Sequence, residues 1–258
     1  MDNRILIAVA ALVLVVLAFV FWPEAETVAV DPPEVPVQKV AQPVVPAPDL
    51  VDPVEPVPLP DPPEPEIALP VLSESDPFTL EQIEDFDLPS AWTERDDLVR
   101  RLAVVIDNAA DGKYPNRQLG FLAPSGAFKV VPEGDRVFVD ETNYNRFDGH
   151  VDTLVNIEPE SLVSVIDMLE PLISEAMGEL GNRSDVKTEL QAALDQILAV
   201  PIVRRPVELV RPNVLYEYSD TRLESLTPLQ KQVLRMGPDN VQRLQVYLRR
   251  VAVALNSE

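Results

Sequence analysis

Cysteine is absent from this 258-residue chain. Its absence excludes disulfides, thiolate nucleophiles, cysteine metal sites and the lipid-modified cysteine of a bacterial lipoprotein. Histidine is nearly absent too: the one copy is His150, so a zinc site built on two or three histidines cannot form within one chain. Glycine is scarce, with eight residues, and none of them forms a Gly-rich phosphate loop. Basic residues are few, 21 against 43 acidic ones, for a net charge of −22. Such a surface repels polyanions, which argues against nucleic acid as a partner. What the chain has in quantity is proline, 27 residues, and one long apolar run near its start.

That run is Ile5 to Trp22, eighteen consecutive apolar residues. A membrane-spanning helix needs on the order of 20 such residues at about 1.5 Å each, and Phe19, Phe21 and Trp22 give the exit end the aromatic character of a membrane interface. The competing reading is a cleaved signal peptide, with a basic start, roughly 7 to 15 apolar residues and a small-residue cleavage site. Here the start carries only Arg4, offset by Asp2, and the Phe19-Val20-Phe21-Trp22-Pro23 exit is too bulky for such a site. Glu24-Ala25-Glu26 and Thr27-Val28-Ala29 leave cleavage open further on. Residues 1–22 are therefore expected to be an uncleaved anchor. With Arg4 on one side and Glu24, Glu26, Asp31 and Glu34 on the other, the basic-side-inward bias favours a short cytoplasmic tip and an exported body. The inverted topology, a tethered scaffold facing the cytoplasm, is the alternative.

Residues 23–77 read as a linker. Thirteen prolines fall in the thirty-four residues from Pro32 to Pro65, and residues 23–77 hold twelve acidic side chains against Lys39 alone. Proline removes backbone donors and the acids repel one another, so neither helix nor sheet is expected. An extended polyproline-II tether of about 3.1 Å per residue would span roughly 170 Å at full stretch. A proline-rich ligand for a partner is the other possibility.

From Phe78 the texture changes, and residues 78–258 are expected to form a single globular domain. A short helix is expected over Phe78–Leu88. Thr93 is a plausible N-cap for the next helix, whose Leu98, Leu102, Val105 and Ala109 lie on one face before a stop near Asp111-Gly112. Phe128–Val131 and Arg136–Val139 read as a hairpin around Pro132–Asp135, with Val214–Tyr218 the candidate third strand. A long helix over Glu160–Leu180 carries Leu162, Ile166, Leu169, Ile173, Ala176 and Leu180, with a kink or break expected at Pro171. Ser184–Val200 is a further helix. Thr227-Pro228-Leu229-Gln230 has the form of a capping box, and its helix closes at Met236-Gly237-Pro238. The last helix presents Val241, Leu244, Leu248, Val251 and Leu255. The fold class is α+β, mainly helical with a small antiparallel sheet.

Several segments together resemble an uncharacterised bacterial family of single-pass membrane proteins catalogued as domain of unknown function 3014. They are Val105-Ile106-Asp107-Asn108-Ala109-Ala110-Asp111-Gly112, Tyr144-Asn145-Arg146-Phe147-Asp148, Glu170-Pro171-Leu172-Ile173 with Glu179-Leu180-Gly181, and Gln230 to Asn240 around Arg235-Met236-Gly237-Pro238. The resemblance runs from Phe78 to the end and implies an anchor, an acidic proline-rich stretch and one domain, in bacteria with two membranes. The expected location is the inner membrane, through residues 5–22, with the domain in the periplasm. The resemblance carries no activity, and Gly149-His150 stands where the family pattern leads one to expect an aromatic residue, so His150 receives no family role.

Two sets of residues are candidates for chemistry. Tyr144, Arg146, Asp148 and His150 alternate by two, and on a strand would form a polar row on one face; an edge or loop satisfied by Arg–Asp pairing is the plainer alternative. Arg235 and Asn240 flank the Met236-Gly237-Pro238 turn, where Arg235 suits a carboxylate or phosphate but equally complements a helix dipole, and Asn240 suits an N-cap. Asp107 and Asp111-Gly112 fail as a calcium loop, because Ala109 and Gln118 occupy ligand positions. Ser225 and Lys231 show no activating arrangement. No catalytic residues, metal or cofactor are expected. The reading is a non-enzymatic, membrane-tethered domain that binds a protein or envelope component. Its rivals are an envelope hydrolase using a carboxylate pair such as Asp140 and Asp148, and the cytoplasm-facing scaffold.

Overall fold

The computed structural model describes residues 68–120, 123, 124 and 126–257. The expected anchor at 5–22 and all but the last ten residues of the expected linker lie outside the described residues. Packing begins upstream of Phe78, because Leu72 is buried in the core and Leu69 lies against it. Helix α1, Asp76–Gln82, is shorter than the spacing predicts. Asp87, in the left-handed region at φ 51°, ends the 3₁₀ turn Glu84–Phe86 that follows.

Helix α2 is the single turn Ser90–Thr93 and buries Trp92. Thr93 thus ends a helix instead of capping one, and α3 starts five residues later, at Leu98–Ala110. The reason is a long-range cap. The Asp76 carboxylate accepts the N–H groups of Asp97 and Leu98 at 2.7 and 2.8 Å, taking up orphan donors that a local Thr would otherwise satisfy. The predicted stripe of α3 is buried, joined by Val99, Ala103 and Ile106. A short turn α4, Asn116–Leu119, leads towards the sheet.

Helix α5, Asp148–Val155, precedes α6, Pro159–Glu179. Helix α6 runs through Pro171 as one continuous helix, so of the expected kink or break the break does not occur. Pro171 lies on the exposed side, where water can take over the bond that its missing N–H would have made. Its end is a Schellman arrangement: Gly181, at φ 85°, donates to Gly178 O, and Asn182 N donates to Met177 O, both at 3.0 Å. Helix α7, Val186–Leu198, is capped by Asp185, whose side chain accepts from Thr188 N. Helix α8, Thr221–Glu224, is capped in the same way by Asp220. Helix α9, Pro228–Leu234, has the full capping box between Thr227 and Gln230, and α10 is Pro238–Leu255. The core forms where α3 and α10 each pack on both α6 and α7, while α5 lies on α10 and α9 on α7.

The sheet has four antiparallel strands in the order β1-β2-β3-β4. Strands β1, Val130–Glu133, and β2, Arg136–Val139, pair with Glu133 opposite Arg136. The hairpin turn is therefore Gly134-Asp135 alone, with Gly134 at φ 62°, and Pro132 lies inside β1. As β1 is an edge strand, a missing N–H there is tolerated. The third strand is not Val214–Tyr218. Strand β3 is Glu208–Val210, and Glu217–Tyr218 forms β4 beyond it. Leu209 and Tyr218 point into the core, and Val130 and Val139 pack against it.

Candidate functional site

The Tyr144–His150 segment is not a strand. The Asp140 side chain accepts from Thr142 N at 2.8 Å and starts a 3₁₀ helix, Glu141–Phe147, which runs directly into α5. The Thr142 side chain first, and then its backbone N–H, hold the Asp140 carboxyl below the usual carboxylate range. In helical backbone, successive side chains turn by roughly 100 to 120°, so residues two apart diverge and the expected polar row breaks up. Arg146 staples a loop, donating to Gly126 O at 3.0 Å and Pro124 O at 3.2 Å. Burial lowers its pKa. His150 goes elsewhere and stacks on Trp92, ring centroids 6.0 Å apart, with burial pushing its pKa down.

Tyr144 and Asp148, one helical turn apart, do meet, and they meet at the Arg235–Asn240 turn. Gly237, at φ 82°, lies under the Tyr144 ring so closely that a Cβ there would fall 2.3 Å from Tyr144 Cγ. Only glycine satisfies both the backbone angle and the contact. Asn240 is buried at the third position of α10 and does not cap it. Its Nδ2 donates to Asp148 Oδ1 at 2.8 Å and, at 3.2 Å each, to Tyr144 O and Met236 O. One amide thus fastens the 3₁₀ helix, α5 and the α9–α10 turn together.

Arg235 extends this junction towards the sheet. Burial raises the Tyr218 pKa, and the Arg235 guanidinium lies close enough to pull against that rise. The Tyr218 backbone N–H donates to Glu224 Oε2 at 2.8 Å, and Glu224 is ion-paired with Lys231. Tyr144 is close enough to Tyr218 to feel it. Burial first, then Tyr218 and Glu141, push the Tyr144 hydroxyl up to about 12. Tyr144, Asp148, Arg235 and Asn240 therefore belong to one assembly, and Arg146 and His150 do not. Lys231, from the Gln230–Asn240 segment, joins it, and Tyr218 and Glu224 complete it without any motif to announce them.

A second feature has no counterpart in the motifs. Helices α5 and α10 border an open groove of about 490 Å³, lined by Val155, Gln242, Arg243, Val246, Tyr247 and Arg250, with Asp239 at its end. Val246 is 54% exposed and Val253, two turns along the same helix, 70%. Arg243 is ion-paired with Asp152, and Arg250 with Glu158 at 2.7 Å. The sequence signal was present but faint: valines on the polar face of an otherwise regular amphipathic helix.

Residues 98–252 match the family described as Protein of unknown function (DUF3014). The chain belongs to this family. No curated protein and no solved structure matches it. The DUF3014 match spans α3 to nearly the end of α10 and so contains both the Asn240 junction and the groove. Among the described residues, no three His, Cys, Asp or Glu side chains gather as a metal site, and no helix is long and apolar enough to cross a membrane.

Proposed function

We propose that this DUF3014 protein is a single-pass protein of the bacterial inner membrane, anchored through residues 5–22, whose domain binds another protein on the periplasmic side. Residues 23–67 set the distance between anchor and domain. The observation that carries the binding part of this reading is the groove along α10. It is open, and it mixes exposed aliphatic side chains with arginines, a surface suited to receiving a side chain of another macromolecule. The polar residues of the family motif, by contrast, spend their hydrogen bonds inside the domain.

The location is tested with two fusions at the C-terminus, one reporter active only after export and one active only in the cytoplasm, each with and without residues 5–22. The exported reporter should be active and sediment with membranes, and should lose export when residues 5–22 are removed. Activity of the cytoplasmic reporter on the full chain would overturn the periplasmic placement.

A further inference from the structure

The chain enters the domain through residues 69–93, and this segment is held differently from the body on which it lies. The part matched to the family starts at residue 98, so the segment is an addition to it. Three buried apolar side chains, Leu72, Ile83 and Trp92, fasten it to the core, while Phe78, Leu80, Phe86 and Leu88 are only partly buried. The closed face of α1 is instead polar: Ser75, Thr79 and Gln82, spaced as one helical face, are all buried. Among the described residues the Thr79 hydroxyl finds no hydrogen-bond partner there, which makes its burial unfavourable.

No ion pair strengthens the grip. Residues 69–93 hold six acidic side chains and no basic one, and among the described residues none of the six is ion-paired. The hydrogen bonds that tie the segment to the body are those the Asp76 carboxylate accepts from the N–H groups of Asp97 and Leu98. Its ring contact with α5 is Trp92 on His150. Asp87 and Asp97, on either side of α2, both sit in left-handed backbone, at φ 51° and 58°, which aspartate tolerates at some strain. Few apolar anchors, an unpartnered buried hydroxyl and strained joints put this segment at the low end of local stability.

We propose that residues 69–93 form a strap that detaches as a unit while the body stays folded, and that a pull between membrane and domain opens it. The second half rests on the anchor reading given above: the chain reaches the domain through residue 68, so a pull from residues 5–22 arrives at the strap first. It acts on Leu72, then on the Asp76 cap, then on Ile83 and Trp92. Contacts broken one after another resist less than contacts stretched together. Opening bares the His150 ring and leaves the Asp97 and Leu98 N–H groups without their acceptor. The strap thus keeps one surface of the domain hidden until the tether is taut.

The test uses the purified full chain in detergent. In hydrogen exchange, the hydrogen-bonded amides of residues 76–98 should exchange about tenfold or more faster than the slowest amides of α6 and α10. Thr79→Val keeps the shape and removes the unpartnered hydroxyl, so it should slow exchange in the strap several-fold and leave α6 unchanged, whereas Asp76→Ala should quicken the strap. Because the chain has no cysteine, handles for single-molecule pulling can be attached through Ala68→Cys and Ser257→Cys. Extension should then come in two steps, the first at lower force and of at most about 90 Å, the stretched length of residues 69–93. A single step for the whole domain, strap amides protected as fully as those of α6, faster exchange in Thr79→Val, or no response to Asp76→Ala would overturn the proposal. None of these readouts needs a membrane. Their failure condemns the strap alone, and a fusion that does not sediment with membranes condemns the tether alone.

Discussion

Gly237 and Tyr144 show how much one backbone position can decide. A Cβ at 237 meets the ring at 2.3 Å on a residue at φ 82°, so Gly237→Ala combines a steric clash with left-handed strain. A loss of about 3 kcal/mol or more in denaturant unfolding is expected. Because the clash is with one ring, the double variant Gly237→Ala, Tyr144→Ala should lose less than the two single losses together, while the backbone strain persists. Strict additivity would contradict the contact. His150 gives a prediction in pH. Burial against Trp92 lowers its native pKa, whereas in the unfolded chain the imidazole titrates near 6.5. Between those values the unfolded state binds more protons, so the stability is full above about pH 6.5 and declines as the pH falls towards the native pKa. His150→Phe, which keeps a ring against Trp92, should flatten the dependence of the denaturation midpoint between pH 7.5 and 5. An unchanged slope would show that another group is responsible.

At the scale of elements, the ends of helices are held by side chains from far away in the chain. Gln245, buried on α10, donates through Nε2 to the carbonyls of Ile197 and Leu198 at 3.2 Å and Val200 at 2.8 Å. It takes up the orphan acceptors at the end of α7. Gln245→Ala should cost about 2 kcal/mol, and Gln245→Glu more at neutral pH, since a carboxylate cannot donate to carbonyls and would be a buried charge. Equal losses in thermal melts would contradict this role. Such ties explain which elements the sequence made legible. The stripes of α3, α6, α7 and α10 follow from local periodicity, and the Thr227–Gln230 cap from four adjacent residues. The start of α3 was misplaced because its cap, Asp76, lies 22 residues before Leu98. Strand β3 is three residues between Pro206 and Pro212, too short for alternation to register. The Tyr144 to His150 pattern misled because alternation by two also occurs by chance in a helical segment, and the cap at Asp140 decided the backbone. Of the candidate site residues, four proved to be neighbours, but as an internal fastening. The groove depends on the docking of α5 against α10, which no single stretch of sequence encodes.

Over the whole molecule, charge and hydropathy are divided along the chain. An apolar run at 5–22 is followed by a strongly acidic proline-rich stretch, then by a domain that ends in its most basic region. This division favours a protein held at a membrane, kept at a distance by its linker, with an open groove on its domain available to a partner. The most direct test of that account is site-specific photo-crosslinking in cells that express the full chain, with the photoreactive residue at Val246 in one strain and at Leu180, which is also exposed, in another. The account predicts a discrete adduct at Val246 that forms only when residues 5–22 are present, that disappears when Arg250→Glu is added, and that is missing at Leu180. The same adducts at both positions, or an adduct at Val246 indifferent to Arg250, would contradict it.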